Sequence, residues 1–127
     1  MITIEPFAPR VLGPKPWGME TLIADTPHYI GKVLSMRAGH RGGLQYHERK
    51  DETFYLFSGR AVVTSDDGHG VLVSIMMNPG MSYHIPPRAV HQVEAITDCL
   101  FFEVSTPVFD DRVNMAEAYG REDGDAA

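Results

Sequence analysis

The chain has one cysteine, one tryptophan, no cluster of basic residues and no long apolar run. Each scarcity excludes something. A lone Cys99 cannot form an internal disulfide, and it fits a reducing compartment. With 11 Lys and Arg against 17 Asp and Glu, the formal charge is −6. Nucleic acid and anionic membrane surfaces are therefore poor partners. No segment is apolar for long enough to cross a bilayer as a helix. The opening MITIEPFAPR lacks the apolar stretch of a signal peptide, so the expected location is cytoplasmic. Cys99 has no base or cation beside it in sequence, which weakens a nucleophile reading.

What is abundant is turn chemistry. Twelve Gly and nine Pro in 127 residues, without a repeat, suit many short strands. β-type runs are expected at 20–23, 29–37, 44–47, 53–57, 60–65, 71–76, 81–85, 91–95 and 100–104. Gly, Pro, Asn or Asp signals separate them, and the even spacing predicts an antiparallel sandwich or barrel. Residues 1–18 read as turn-rich. Residues 108–120 read as one short helix or an irregular arm, and the acidic tail 121–127 is expected to fray. The length suits one domain, 1–127, with a sizeable core.

Two stretches carry the chemistry. The first runs from Gly39 through Gln45, His47 and Glu52 to Gly59; the second runs from Gly80 through Pro86 to His91 and Ala95. On a strand, Gln45 and His47 point to one face, being two residues apart. Glu52 would join from the next strand and His91 from a distant one. Two imidazoles, a carboxylate and an amide oxygen suit one divalent ion: Mn, Fe, Co, Ni or Zn.

The spacing resembles the cupin superfamily. Its first motif, G-x5-H-x-H-x4-E-x6-G, is matched from Gly39 to Gly59 with Gln45 in place of the first His. Its second, G-x5-P-x-G-x2-H-x3-N, is matched from Gly80 to Ala95, with Arg88 in place of Gly and Ala95 in place of Asn. The region 39–95 thus implies an all-β fold, a double-stranded β-helix or jelly-roll barrel with a C-terminal helix or arm. The run Gln45 to Glu52 further resembles the Q-x-H-x-x-R-x-E stretch of type II phosphomannose isomerases. Lys15-Pro16-Trp17-Gly18, Ile85-Pro86-Pro87 with His91, Phe102-Glu103-Val104 and Tyr119-Gly120-Arg121 are similar to further landmarks of that family. Lys50, Thr53 and Asn114 depart from it. The first and last stand where Arg is usual, so a bidentate grip on phosphate is lost there.

The resemblance implies a metal-dependent sugar or sugar-phosphate isomerase or epimerase. The implied ligands are Gln45, His47, Glu52 and His91. Glu103, a charge inside the apolar run 100–104, is the candidate base, as is Lys50 if burial or the ion depresses its pKa. Lys50, Arg88 and Tyr83 are candidate substrate contacts, and Arg37 and Arg41 are further possible anion binders. The substrate would be a sugar or small anion. Two other readings stand beside this one. One is a non-haem iron dioxygenase using His47, His91 and Glu52; the other is a non-catalytic binding cupin without a base near the ion. A homodimer covering exposed sheet edges is expected.

Overall fold

Inward residues alternate along the strands, and this alternation builds the molecule. In the computed structural model, which describes residues 2–125, eleven strands occur in order. They are β1 (Arg10–Lys15), β2 (Gly18–Asp25), β3 (Ile30–Met36), β4 (Gln45–His47), β5 (Glu52–Ser58) and β6 (Ala61–Asp66). Then come β7 (Leu72–Met77), β8 (Ser82–Ile85), β9 (His91–Ala95), β10 (Cys99–Ser105) and β11 (Arg112–Asn114). A single 3₁₀ turn, Glu117–Tyr119, is the helical element among the described residues. The strands form two sheets, ordered β1-β2-β3-β10-β5-β8 and β11-β4-β9-β6-β7. Their pairings are antiparallel throughout. This is the antiparallel barrel that the strand spacing predicts, in the jelly-roll form that the resemblance implies.

Period 2 decides what faces the interior. Along β10, Cys99, Phe101, Glu103 and Ser105 are buried, with more exposed residues between them. The inner core gathers Trp17, Met36, Leu56, Ala61, Val63, Met77, Ala95, Cys99 and Phe101. It fills one part of the barrel; polar inward residues such as Glu52, Glu103 and Lys32 fill another. The motif glycine Gly59 has φ +94°, and a Cβ there would lie 2.2 Å from the Asp98 carbonyl oxygen. Only glycine closes that turn without moving the backbone.

The ends of the chain differ from expectation. Residues 10–15, within the stretch read as turns, form β1 and pair with β2. The expected helix or arm over 108–120 contains a strand, β11, and only a 3₁₀ turn. Pro14 lies inside β1 and hides its extended backbone behind a turn signal. The tail also departs from the fraying expected of it. Up to Asp125 it folds back: the Asp125 carboxylate accepts from the Arg41 N–H at 3.1 Å and contacts His40 Nδ1 at 3.1 Å. Positions 126 and 127 lie outside the described residues.

Candidate metal centre

Four strands deliver the centre. Gln45 and His47 lie two apart on β4, and Gln45 pairs in register with His91 at the start of β9. Directly opposed residues of an antiparallel pair share a face. Glu52 opens β5 in the facing sheet, opposite Ser105 of β10. Glu103, two residues earlier on β10, pairs with Phe54 on one side and Lys32 of β3 on the other. These side chains line one cavity of about 190 Å³, walled on its apolar side by Trp17, Phe54 and Phe101.

His47, Glu52 and His91 converge, with one candidate ligand atom from each lying within 4.8 Å of the others. The hydrogen bonds at the far side of each ring determine what they offer. His91 Nδ1 is 2.8 Å from the Ala89 carbonyl oxygen, which can only accept, so Nδ1 carries the proton. His47 Nδ1 donates to Asp111 Oδ1 at 3.0 Å. Both Nε2 lone pairs are thereby turned toward Glu52, at 3.6 Å from Oε2 for His47 and 3.5 Å from Oε1 for His91. Neither Glu52 oxygen receives an aligned hydrogen bond. Glu52 Oε2 also has the Lys50 ammonium beside it, but Oε1 faces the His91 Nε2 lone pair, and the space between the two imidazoles and this carboxylate is one that a cation satisfies. The residues fit a divalent ion, with nitrogen and oxygen donors suited to Zn, Mn, Fe, Co or Ni.

The electrostatics agree with that fit. Burial lowers the pKa of His47, keeping its imidazole neutral, as a ligand must be. Burial acts to raise Glu52, but the Lys50 ammonium 2.9 Å from Oε2 helps hold the carboxyl below its ordinary value. Lys50 is 5% exposed and bridges two carboxylates, 2.9 Å from Glu52 Oε2 and 3.0 Å from Glu103 Oε2. Burial opposes its charge, yet Glu103 and Glu52 more than compensate and raise its pKa. The expectation that Lys50 could act as a base is therefore corrected: it remains an ammonium. Glu103 behaves in the opposite way. Burial dominates and raises its pKa, despite the Lys50 charge, and its Oε2 has no aligned hydrogen bond.

Two expected substrate contacts are elsewhere. Arg88 and Tyr83 line a separate depression, not the metal cavity. The Arg88 side chain is 77% exposed and lies 3.8 Å from Glu48. Tyr83 packs against the core, and its hydroxyl accepts from the Asn78 N–H at 2.6 Å. Arg37 is occupied by the Pro16 carbonyl at 2.7 Å.

Other polar residues at the centre escaped the sequence reading. Lys32, 7% exposed, meets Glu20 at 2.6 Å, and Lys15 joins Glu20 at 3.6 Å. A signal for Lys32 existed: it shares period 2 with Ile30, Leu34 and Met36. Asp111, 64 positions from His47, had no such signal.

This is a barrel of the jelly-roll class with a His/Glu/His cluster able to hold a metal. Residues 32–105 match the Cupin domain family model, and the chain belongs to that family. It is 23% identical over 111 residues to mannose-1-phosphate guanylyltransferase RfbM of Salmonella typhimurium, covering 84% of this chain but 22% of that protein. The capsular polysaccharide assembling protein CapF of Staphylococcus aureus superposes with a TM-score of 0.73 at 20% identity, over 86% of this chain and 34% of CapF. KdgF from Halomonas sp. gives 0.67 at 22% identity, over 80% of this chain and 88% of KdgF. Oxalate decarboxylase of Bacillus subtilis, a protein with Mn(II) centres, gives 0.69 at 18% identity, over 86% of this chain and 30% of that one. The chain thus spans about a fifth of the guanylyltransferase and a third of CapF. Among the described residues no helix is long and apolar enough to cross a membrane.

Proposed function

We propose that this cupin is a metal-dependent isomerase or epimerase acting on a sugar, sugar phosphate or related small anion. The observation that carries the reading is Glu103. It is an inward carboxyl of raised pKa, and its Oε2 lies 3.0 Å from an ammonium, Lys50, that it shares with the candidate ligand Glu52. A base beside a metal centre is what proton transfer next to a carbonyl requires, and a purely binding cupin needs none. The relation to a mannose-1-phosphate guanylyltransferase supports a sugar-phosphate setting.

His47, Glu52 and His91 would hold the ion, with Gln45 as fourth donor from the same cavity face. When bound, a divalent ion supplies Lewis acidity, polarising a carbonyl and stabilising charge on its oxygen. Glu103 would take the proton from the carbon beside that carbonyl and return it to the former carbonyl carbon on the same face, while the hydroxyl proton passes to the former carbonyl oxygen. Epimerisation would need a second acid on the other face. Lys50, fixed between the carboxylates, keeps Glu52 ionised and supplies positive charge near the developing anion. Trp17, Phe54 and Phe101 reduce water at the site.

The His47, Glu52 and His91 set is also that of non-haem iron dioxygenases, which keeps that second reading. The test is metal analysis of protein purified without chelator, then an anaerobic isomerisation screen of mannose 6-phosphate, other sugar phosphates and sugar acids. Turnover without oxygen, sustained by Zn or Mn, supports the isomerase. Activity that needs both O₂ and Fe(II) and disappears with Zn rejects it in favour of the dioxygenase.

A further inference from the structure

β4 carries two candidate ligands but is only three residues long. It joins β9 through a single registered pair, Gln45 with His91. Its other side is covered along its whole length by β11, where Arg112 opposes His47, Val113 opposes Tyr46 and Asn114 opposes Gln45. The Met115 N–H extends this contact to the Leu44 carbonyl at 2.8 Å. The ligand strand is thus held largely by the arm after β10.

Asp111 is where that arm grips. Its side chain is 7% exposed. Oδ1 accepts from His47 Nδ1 at 3.0 Å; Oδ2 accepts from the N–H groups of Arg49 at 2.6 Å and Lys50 at 2.9 Å. One carboxylate therefore fixes the ring of a candidate ligand and the backbone leading to the cation beside Glu52. We propose that Asp111 is a positioning residue of the metal centre, and that docking of the 106–114 arm and occupancy by the ion stabilise each other. The proposal rests on the metal-centre reading above. Without Asp111, His47 can turn or change tautomer, and Nε2 no longer faces Glu52 with a free lone pair. By linkage, an ion that selects the oriented ring must also favour the docked arm.

The test uses the full chain with zinc alone as probe. Three variants separate orientation from mere stability. Asp111→Asn keeps the shape and an acceptor oxygen but loses the charge; Asp111→Ala removes both. Thr106→Val loosens the same arm by removing the hydroxyl that accepts from the Asp51 N–H at 3.1 Å, without touching His47. Zinc affinity is measured by chelator competition. Amide hydrogen exchange of residues 106–115 is followed with and without zinc. Nitrogen-15 spectra of the imidazoles report the tautomer in the metal-free protein.

We expect Asp111→Asn to weaken zinc binding by about 10- to 100-fold and Asp111→Ala by more, with Thr106→Val, which loosens the arm but leaves the His47 ring oriented, weakening it less than Asp111→Asn. Zinc should slow exchange in the arm of the wild type. In metal-free wild type His47 should be protonated at Nδ1 alone, and in Asp111→Ala that preference should vanish. Zinc affinity within twofold of wild type in Asp111→Asn overturns the proposal. So does equal weakening by Thr106→Val, or arm exchange indifferent to zinc. A wild type that takes up no zinc, manganese or iron defeats the metal-centre reading itself, while the tautomer spectra still judge the Asp111–His47 contact.

Discussion

Lys50 Nζ stands 3.0 Å from Glu103 Oε2, and both side chains are almost wholly enclosed, at 6% and 4% exposure. The pair separates two roles that sequence alone left joined. The ammonium is held charged by two carboxylates, which leaves Glu103 as the base of the proposed reaction. Replacing Glu103 by Gln should reduce kcat by about 10²- to 10⁴-fold, the range expected for general acid–base catalysis. Bound metal per chain should be unchanged. Lys50→Met should instead be felt in folding. It leaves two buried carboxylates without their cation, a loss of about 3–5 kcal/mol. Urea unfolding and metal analysis of the two variants check both outcomes; loss of metal in Glu103→Gln would mean that Glu103 supports the ion instead of the chemistry.

A second expectation concerns the ion and stability. The three ligands come from β4, β5 and β9, across both sheets, so the unfolded chain offers no such site. Zinc or manganese at a hundredfold excess over its Kd should stabilise the native state by about 2.7 kcal/mol. Excess chelator should reverse the gain. In Glu52→Gln, which substitutes a neutral amide for the only anionic ligand, the metal-dependent gain should disappear. A metal-induced shift in the thermal midpoint that survives in Glu52→Gln would place the bound ion somewhere else.

The comparison of sequence with structure has a physical pattern. His47, Glu52 and His91 were legible because their spacing is tied to two hairpin-like units whose turns need glycine, as at Gly59. Glu103 was legible as a charge in an apolar strand of period 2. Lys32 could have been found in the same way, on β3. Asp111 could not, because its role depends on where a loop returns after β10. Arg88 was misplaced for a related reason: sequence proximity to His91 puts it near the strand, but not on the cavity side. β1 was missed because an edge strand can accept Gly13 and Pro14, which read as turns, and β11 because its three residues, Arg112–Asn114, are too few for a period to show. Strand exposure bears on assembly as well. β7 is an edge with Val73 and Ile75 exposed on one face of the strand, and the homodimer expected from the sequence would bury them. Ile75→Glu should then shift the mass measured by light scattering to that of a monomer; an unchanged mass removes this face from consideration.

Acid should act through Glu20. Burial tends to raise its carboxyl, but the hydrogen bond and charge of Lys32, helped by Lys15, outweigh this and lower it below its ordinary 4.5. A carboxyl with a folded-state pKa below its unfolded value stabilises the fold above the unfolded pKa. That contribution is lost as pH falls through the folded value. Glu20→Gln should therefore be less stable than wild type at pH 7, with Lys32 left buried and unpaired. The gap should narrow from just below pH 4.5 downward. Chemical denaturation of both proteins from pH 7 to pH 3 measures it, and a gap independent of pH would remove Glu20 as its source.

Arg88 offers a test in which the change should help the protein. It is the one non-glycine residue with positive φ among those described, at +69°, and it occupies the position where the cupin motif has glycine. Its backbone explains the motif. The Arg88 N–H donates to the His47 carbonyl at 2.7 Å, tying the loop before His91 to the strand carrying the other imidazole. Arg88 makes that bond while holding a left-handed backbone, which the motif glycine adopts without a Cβ. A Cβ in this region costs about 1–2 kcal/mol, and glycine avoids the cost. The exposed guanidinium, 3.8 Å from Glu48, returns little, since a solvent-screened ion pair of this kind contributes about 0–1 kcal/mol. Arg88→Gly should thus raise stability by about 1 kcal/mol, after the extra freedom of glycine in the unfolded chain is subtracted. Metal affinity should stay at the wild-type value, because the His47–Arg88 backbone bond persists. Arg88→Ala, with its Cβ retained, should show no gain. Denaturation midpoints of the three proteins decide the matter: equal stability of the Gly and Ala variants would show that the conformation at position 88 carries no strain. A loss of substrate binding in Arg88→Gly would return the guanidinium to the list of substrate contacts despite its distance from the cavity.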